Sequence, residues 1–209
     1  MPGNVPQNPR IFHITHVENL PSIIASRCLW SDAQRIRRNL QTTNIGYTHI
    51  KQRRLNRPVT AGSGGMLGEY VPFNFCCRSV MLFRVSRGHE NYSGGEDQVV
   101  HLFSSVQTAI ALKKPWAFTD QHADLGYAGY FASLSDLKEV DWNVMPPQTF
   151  WGGNDDIRAK RQAEFLVHDS FPWAAIEGIG VKSAIVAATV RALLPTGIPP
   201  VSIHPDWYY

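Results

Sequence analysis

One acidic side chain in a basic stretch is the clearest candidate for chemistry in this sequence. Glu164 directly precedes the apolar run 165–167, and Arg158, Lys160 and Arg161 come just before it. The run has the composition of a buried strand, so Glu164 would be held rigidly where the strand opens onto a cleft. A carboxylate in that position suits a transferase that stabilises a developing sugar cation. The same residues also fit a solvated glutamate paired with a neighbouring base.

His13 and Thr15 form a second candidate pair. Residues 10–16 have the pattern of a strand, which places these two side chains on one face and Ile14 on the other. They could bind a ligand by hydrogen bonds, although His13 equally fits a satisfied core histidine. A helix should follow with Asn19 as its N-cap, because Pro21 is tolerated only in a first turn.

The segment 33–68 contains no Asp or Glu. Its basic residues are Arg35, Arg37, Arg38, Lys51, Arg53, Arg54 and Arg57. Such a block is either a solvated face or a site for an anionic partner, such as a phosphate-bearing cofactor or nucleic acid.

The stretch 122–161 is weakly periodic and rich in aromatic residues. These are Tyr127, Tyr130, Phe131, Trp142, Phe150 and Trp151. Rings on a loop beside Arg158 and Lys160 suit stacking on unpaired bases, with phosphate contacts alongside. Ordinary packing of a helical lid is the alternative.

Composition limits the class of protein. The chain has 209 residues, 44% hydrophobic and 18% charged, which predicts one folded domain over 1–209. The three cysteines and eight scattered histidines have neither disulfide-framework nor metal-site spacing, so we expect no metal. We also expect no membrane association, no signal peptide, and a reducing cytoplasm as the location.

Short strands mixed with a few helices predict an α+β fold. We expect strands at 10–16, 70–75, 79–85, 98–103, 165–167, 176–181 and 201–203, and a short strand or turn at 118–122. We expect helices after Asn19, near 44–54, from 104 or 105 to 112 and at 183–194.

Six motifs in one order carry a resemblance that covers nearly the whole chain. They are 13–16 (HITH), 51–54 (KQRR), 70–73 (YVPF), 119–122 (TDQH), 162–166 (QAEFL) and 207–209 (WYY). Together they closely resemble the DarT family, the DNA ADP-ribosyltransferase toxins of bacterial toxin–antitoxin pairs. The resemblance implies an ADP-ribosyltransferase-like fold, with a split, bent β-sheet core and flanking helices around an NAD cleft. It implies transfer of ADP-ribose from NAD to thymine in single-stranded DNA within a short sequence motif, which blocks DNA replication.

The resemblance also implies roles for residues. His13, Ile14 and Thr15 would contact NAD, with Ser22 and Trp30 as further contacts. Residues 35–55 would form the NAD-binding element, with Arg53 as the catalytic arginine. Residues 122–164 would form the substrate-recognition loop, which ends in the catalytic Glu164. The DNA-facing segments would be 77–82, 149–152 and 158–162, which include Cys77, Arg78, Ser79, Met81, Phe150, Trp151, Arg158, Lys160 and Gln162.

The reaction would require specific tasks of these residues. Glu164 would hold the ribose 2′-hydroxyl and could take the thymine N3 proton. Arg53 would clamp the NAD phosphates and stabilise the thymine anion, because a guanidinium stays charged. Phe73 could stack on the nicotinamide. His122 could recognise the thymine edge, in a base that reaches the cleft unpaired.

The partners expected from the resemblance are single-stranded DNA and a macrodomain antitoxin (DarG-like), with the protein itself a monomer. Two alternatives stay open. An ADP-ribosyltransferase that modifies RNA or protein would share the His13, Thr15 and Glu164 features. A non-catalytic single-strand DNA-binding module would share the basic segment, although an acidic residue amid bases is costly for a pure phosphate binder.

Overall fold

The computed structural model describes residues 3–194 and 198–209. Met1 and Pro2, part of the segment used to predict localisation, lie outside these ranges. The described strands are β1 (Arg10–His16), β2 (Cys28–Trp30), β3 (Tyr70–Asn74), β4 (Val99–Ser105), β5 (Trp116–His122), β6 (Tyr130–Phe131), β7 (Ala163–His168), β8 (Ser170–Pro172), β9 (Gly178–Val181) and β10 (Val201–Ile203). The described α-helices are α1 (Leu20–Ser26), α2 (Asp32–Arg37), α3 (Thr48–Leu55), α4 (Val80–Arg87), α5 (Val106–Ala111), α6 (Asp155–Lys160) and α7 (Ala184–Ala192). The predicted α+β class is confirmed.

Eight strands form one sheet in the order β10-β9-β4-β1-β3-β7-β5-β6, and β2 pairs with β8 in a second, two-stranded sheet. β1 pairs with β4 along its whole length. β1 and β3 pair at Phe12 and Asn74, so the large sheet divides into two halves beyond that point. Across the division, Nδ1 of His13 lies 2.8 Å from the carbonyl oxygen of Pro72. The side chain of His13 thus binds a backbone carbonyl oxygen that the backbone of a neighbouring strand would otherwise bind.

β7 lies between β3 and β5, which explains its unbroken apolar run. Phe165 belongs to the largest core cluster, and Leu166 belongs to a separate cluster, in keeping with side chains that alternate between the two faces. A strand buried on both faces needs apolar residues at successive positions. Glu164 lies at the beginning of this strand, opposite Asn74 on β3.

The strand predicted at 79–85 is wrong, because this segment is the helix α4. The hydroxyl of Ser79 accepts a hydrogen bond from the backbone N–H of Leu82 at 3.2 Å, which caps the helix. Val80, Leu82 and Val85 are buried. The pair 80 and 82 also fits a strand period, whereas the N-cap serine and Val85 fit a helix.

Most other predicted elements are confirmed. The strands predicted at 10–16 and 201–203 are β1 and β10, and the helix near 44–54 is α3. The stretch 122–161 forms short 3₁₀ segments and α6 rather than one helical lid. Trp142 packs into the core, whereas the ring of Phe150 is 83% exposed, so the aromatic residues of this stretch divide between packing and surface. Within the described ranges, no helix is both long and apolar enough to cross a bilayer.

Candidate active site

A cavity of about 570 Å³ lies where the two halves of the sheet diverge. Its walls come from β1, β3, the beginning of β7, α3 and the segment 40–47 that joins α2 to α3. Among the residues singled out from the sequence, it is lined by His13, Ile14, Thr15, Ser22, Trp30, Met81, His122, Arg158, Gln162 and Glu164. The structure therefore gathers residues that lie up to about 150 positions apart in the chain, from Thr15 to Glu164.

The carboxylate of Glu164 is buried and held by three N–H donors. Nη1 and Nη2 of Arg54 donate to Oε1 and Oε2 at 2.9 and 2.8 Å. The backbone N–H of Ala123 donates to Oε1 at 3.2 Å. Burial alone would raise the pKa of Glu164, but the guanidinium of Arg54 outweighs it, and the pKa lies below its usual value. Glu164 is therefore ionised at neutral pH.

The two adjacent arginines of α3 point to different partners. Arg54 lines the cavity with Ile50, one turn earlier, and burial of its charge is outweighed by the ion pair with Glu164, which raises its pKa. Nε and Nη2 of Arg53 instead lie 2.8 and 2.7 Å from Oδ2 of Asp124, and the Arg53 side chain is 55% exposed. The sequence-based choice of Arg53 as the catalytic arginine is thus not supported by this geometry, because the structure brings Arg54 to Glu164.

His13 is held in one tautomer. Its Nδ1 donates to the carbonyl oxygen of Pro72, which leaves Nε2 as an acceptor on a ring that lines the cavity. Burial lowers the pKa of His13, so the ring is neutral at pH 7. Phe73 is fully buried in the core, 5.7 Å from the His13 ring between centroids. The predicted stacking of Phe73 on nicotinamide is therefore not supported, because this ring packs behind His13 rather than lining the cavity.

The remaining predicted cofactor contacts come from β1, α1 and β2. Ile14 and Thr15 are almost fully buried, and Ser22 lies in the first turn of α1. The guanidinium of Arg38 lies over the ring of Trp30, 3.8 Å from its centroid. Trp30 thus lines the cavity with a ring that already stacks on a cation.

A charged cluster in the cavity wall joins Arg35 and Lys51, of the predicted basic segment, to Asp32, which was not singled out from the sequence. Oδ1 of Asp32 accepts a hydrogen bond from Nη1 of Arg35 at 2.5 Å and lies 3.7 Å from Nζ of Lys51. Burial lowers the pKa of Lys51, whereas the two cations offset burial at Asp32 and hold its pKa below the usual value. The lining as a whole contains five cations (Arg35, Lys51, Arg54, Arg84 and Arg158) and two carboxylates (Asp32 and Glu164), a net charge of +3. That charge suits an anionic ligand.

The predicted DNA-facing residues fall into two groups. Met81, His122, Arg158 and Gln162 line the cavity, and burial lowers the pKa of His122, which is therefore neutral at pH 7. The second group lies outside the cavity lining: Arg78 over the ring of Tyr209, Trp151 edge-on to Phe83, the exposed Phe150, Lys160 paired with Asp156, and the buried Cys77 and Ser79. The carbonyl oxygen of Cys77 lies 2.8 Å from Nε2 of His101, and Ser79 caps α4, so both have structural contacts.

Sequence reasoning missed Asp32 and Asn19 as cavity residues, and it did not single out Lys51 and Arg54 within the predicted NAD-binding element 35–55. For Arg54, a signal was present, because the apolar Ile50 indicates the inward face of α3 and Arg54 lies four residues later on the same face. Asp32 and Asn19 reach the cavity through tertiary packing that no local pattern reveals. In the part of the chain that is described, no group of three or more His, Cys, Asp or Glu residues could hold a metal ion.

Comparisons with known proteins point to one family. The profile of the family described as "ssDNA thymidine ADP-ribosyltransferase, DarT" matches residues 12–209. The DNA ADP-ribosyl transferase of Thermus sp. (strain 2.9) is 38% identical over 213 residues, which cover 100% of both chains. The DNA ADP-ribosyl transferase of Escherichia coli O127:H6 is 29% identical, over 98% of this chain and 95% of the relative.

A solved structure of Thermus sp. 2.9 DarT in complex with ADP-ribosylated ssDNA superposes with a TM-score of 0.93, at 38% identity and 100% coverage of both chains. The same protein in complex with NAD+ gives a TM-score of 0.86, at 36% identity, covering 99% of this chain and 100% of the other. The family match spans nearly the whole chain and both halves of the cavity. The chain therefore belongs to the DarT family of single-stranded-DNA thymidine ADP-ribosyltransferases.

Proposed function

We propose that the protein transfers ADP-ribose from NAD to thymine bases in single-stranded DNA. The observation that carries the proposal is the Glu164–Arg54 pair, which fixes an ionised carboxylate in the wall of a cavity shared with His13 and Thr15. Membership of the family supports the reaction class. The Thermus sp. 2.9 relative, solved with NAD+ and with ADP-ribosylated ssDNA, supports the donor and the acceptor.

The geometry of Glu164 suits cleavage of the nicotinamide–ribose bond. When that bond breaks, nicotinamide leaves with the bonding electron pair, and positive charge develops at ribose C1′. Oε1 already accepts two N–H groups, from Arg54 and Ala123, whereas Oε2 accepts one. Since each carboxylate oxygen has two lone-pair sites, Oε2 retains one for the ribose 2′-hydroxyl. That hydrogen bond would strengthen as the cation forms, which lowers the barrier.

The acceptor step needs a deprotonated thymine. N3 is a poor nucleophile until it loses its proton, and the ionised Glu164 would take that proton as N3 bonds to C1′. Arg54 stays charged and would stabilise the thymine anion rather than act as the base. The net positive wall around Lys51 and Arg35 would face the NAD pyrophosphate.

The DNA contacts divide between the target base and its neighbours. Met81, His122 and Gln162 would surround the unpaired thymine, and Arg158 would meet an adjacent phosphate. Arg78, Phe150, Trp151 and Lys160 would contact flanking nucleotides, the rings by stacking. An unpaired target base fits this arrangement, because it enters the cavity without unpairing a duplex.

The consequence for a cell would be toxicity. An ADP-ribosyl group on N3 of thymine blocks the Watson–Crick edge and so would halt replication of the strand. We further propose a cytoplasmic location, a monomeric state and a cognate macrodomain antitoxin that removes the modification. These three proposals depend on the family resemblance and on the substrate.

A direct experiment tests the reaction. Incubate the protein with NAD and thymine-containing oligonucleotides, and measure product masses; we expect one ADP-ribose adduct per target site on single strands and none on duplexes. Glu164→Gln keeps the side-chain shape and should remove the adduct, whereas Glu139→Gln, at an exposed position, should not. Modification of RNA or protein in place of DNA would select the first alternative. Tight DNA binding without NAD consumption would select the binding module.

A further inference from the structure

Asn19 joins two walls of the cavity through its carboxamide. The backbone N–H of Thr43 donates to Oδ1 at 2.8 Å, and Nδ2 donates to the carbonyl oxygen of Thr43 at 2.9 Å. Nδ2 also donates to the hydroxyl oxygen of Thr15 at 3.0 Å. Asn19 itself is buried and lines the cavity. It precedes α1 as the sequence predicts, but its side chain makes no capping hydrogen bond, so these three contacts require another explanation.

The contacts with Thr43 fix a segment that has no regular structure of its own. Residues 40–47 join α2 to α3 without a helix or strand, and most of them line the cavity. A reciprocal pair of hydrogen bonds to one residue's N–H and C=O imitates a pair of neighbouring strands. It satisfies both backbone groups of Thr43 and holds the segment over the cavity.

The contact with Thr15 sets the direction of a hydroxyl. The two hydrogens of Nδ2 are both used, one by Thr43 and one by the oxygen of Thr15. The Thr15 hydroxyl therefore accepts from Asn19, and its own hydrogen is free to point to another acceptor. Since Thr15 lines the cavity, that acceptor would be an oxygen or nitrogen of the bound nucleotide.

We propose that Asn19 is a positioning residue for NAD: one buried amide holds the segment 40–47 in place and directs the Thr15 hydroxyl towards the donor. This inference goes beyond the proposed function and rests on it only for the identity of the nucleotide. No proton or bond is exchanged at Asn19, so its effect should appear in NAD binding rather than in the chemical step.

Two substitutions separate the two tasks. Asn19→Ala removes all three hydrogen bonds. Asn19→Asp keeps an acceptor for the Thr43 N–H but loses both donor contacts, so the Thr15 hydroxyl turns to donate to the new carboxylate. We expect both variants to raise the Kd and KM for NAD about 10-fold, because in both the Thr15 hydroxyl is no longer directed towards NAD. A 10-fold change corresponds to the loss of one hydrogen bond, from Thr15 to NAD, at the upper end of its usual strength. At saturating NAD, kcat and single-strand DNA affinity should change less than about threefold.

Hydrogen exchange distinguishes positioning from general loss of structure. The Thr43 amide should exchange faster in Asn19→Ala but stay protected in Asn19→Asp. Glu18→Gln is the matched control, because exposed Glu18 contacts the same segment through the Thr43 hydroxyl at 2.9 Å, and we expect its KM to be unchanged. A second variant guards against misfolding: in a Thr15→Val background, Asn19→Asp should cost less NAD affinity than it does in the wild type, because only its lost contact with the Thr43 carbonyl oxygen still matters.

The proposal is overturned if Asn19→Asp binds NAD as the wild type does, or if its effect is undiminished in the Thr15→Val background. NAD affinity is measured calorimetrically without DNA, so this test stays valid even if no DNA transfer is detected. If the wild-type protein binds NAD but transfers no ADP-ribose to DNA, that result would instead count against the proposed function.

Discussion

Replacement of Arg54, compared with replacement of its neighbour Arg53, tests the assignment of the active site most sharply. In Arg54→Ala the buried Glu164 loses two hydrogen bonds of 2.9 and 2.8 Å and its paired charge. Removing one partner of a buried pair costs about 3–5 kcal/mol, unless the carboxylate takes up a proton. Either outcome removes the ionised, oriented carboxylate, so we expect turnover to fall about a hundredfold or more.

Arg53→Ala should behave differently. Arg53 is 55% exposed, and it shares the buried carboxylate of Asp124 with Arg57, which would remain paired with Asp124 in this variant. We expect turnover to change less than about fivefold. Arg54→Lys restores the charge but not the two parallel hydrogen bonds, and should recover only part of the activity.

The assay measures adduct formation on a single-stranded oligonucleotide by mass, with thermal unfolding of each variant as the control for folding. We expect adduct formation to be high in the wild type and in Arg53→Ala, low in Arg54→Lys and lowest in Arg54→Ala. If Arg53→Ala is inactive while Arg54→Ala is active and folded, the assignment of Arg54 is refuted, together with the mechanism built on it.

Three further outcomes are expected. The double variant Arg54→Met with Glu164→Leu should be inactive yet at least as stable as the wild type, which thermal unfolding checks. Burial holds the pKa of His13 below 6.5, so NAD affinity should persist as the pH falls to 6.5 and should decline only when the pH falls through the lowered pKa of His13. The free energy of unfolding should already begin to fall below pH 6.5, because there the unfolded chain gains the proton before the folded chain does. A KM series for NAD and unfolding curves at each pH test this. Arg161→Met should lower the unfolding temperature, because fully buried Arg161 donates to carbonyl oxygens of Val144 and Pro146, which would lose a partner at about 1–3 kcal/mol each.

The strand that carries Glu164 could be predicted from the sequence because successive apolar residues indicate a strand that is buried on both faces. The choice between Arg53 and Arg54 could not be made from composition, since both lie in the same basic segment. It required knowing which face of α3 lines the cavity, and that face carries Ile50, Lys51 and Arg54. A predicted helix becomes informative about chemistry only when its inward face is identified.

The interior of the cavity was less predictable for a different reason. Asn19 contacts Thr43 across 24 positions, and Arg54 contacts Glu164 across 110. Such contacts depend on how the two halves of the sheet diverge beyond Phe12 and Asn74, and no local period encodes that divergence. The segment 79–85 was assigned wrongly because its local signals conflict. Val80 and Leu82 fit the two-residue period of a strand, whereas Ser79 fits the N-cap of a helix.

A buried ion pair is a poor way to stabilise a fold, and that makes the Arg54–Glu164 pair informative. Two charges taken from water lose several kcal/mol of hydration each, which their attraction roughly offsets. Two apolar side chains would fill the same space at no such cost. The pair has instead a property that apolar packing lacks, namely an ionised carboxylate with one oxygen still able to accept a hydrogen bond inside a cavity. The physical cost of the pair is therefore itself an argument that this wall of the cavity exists for catalysis rather than for stability.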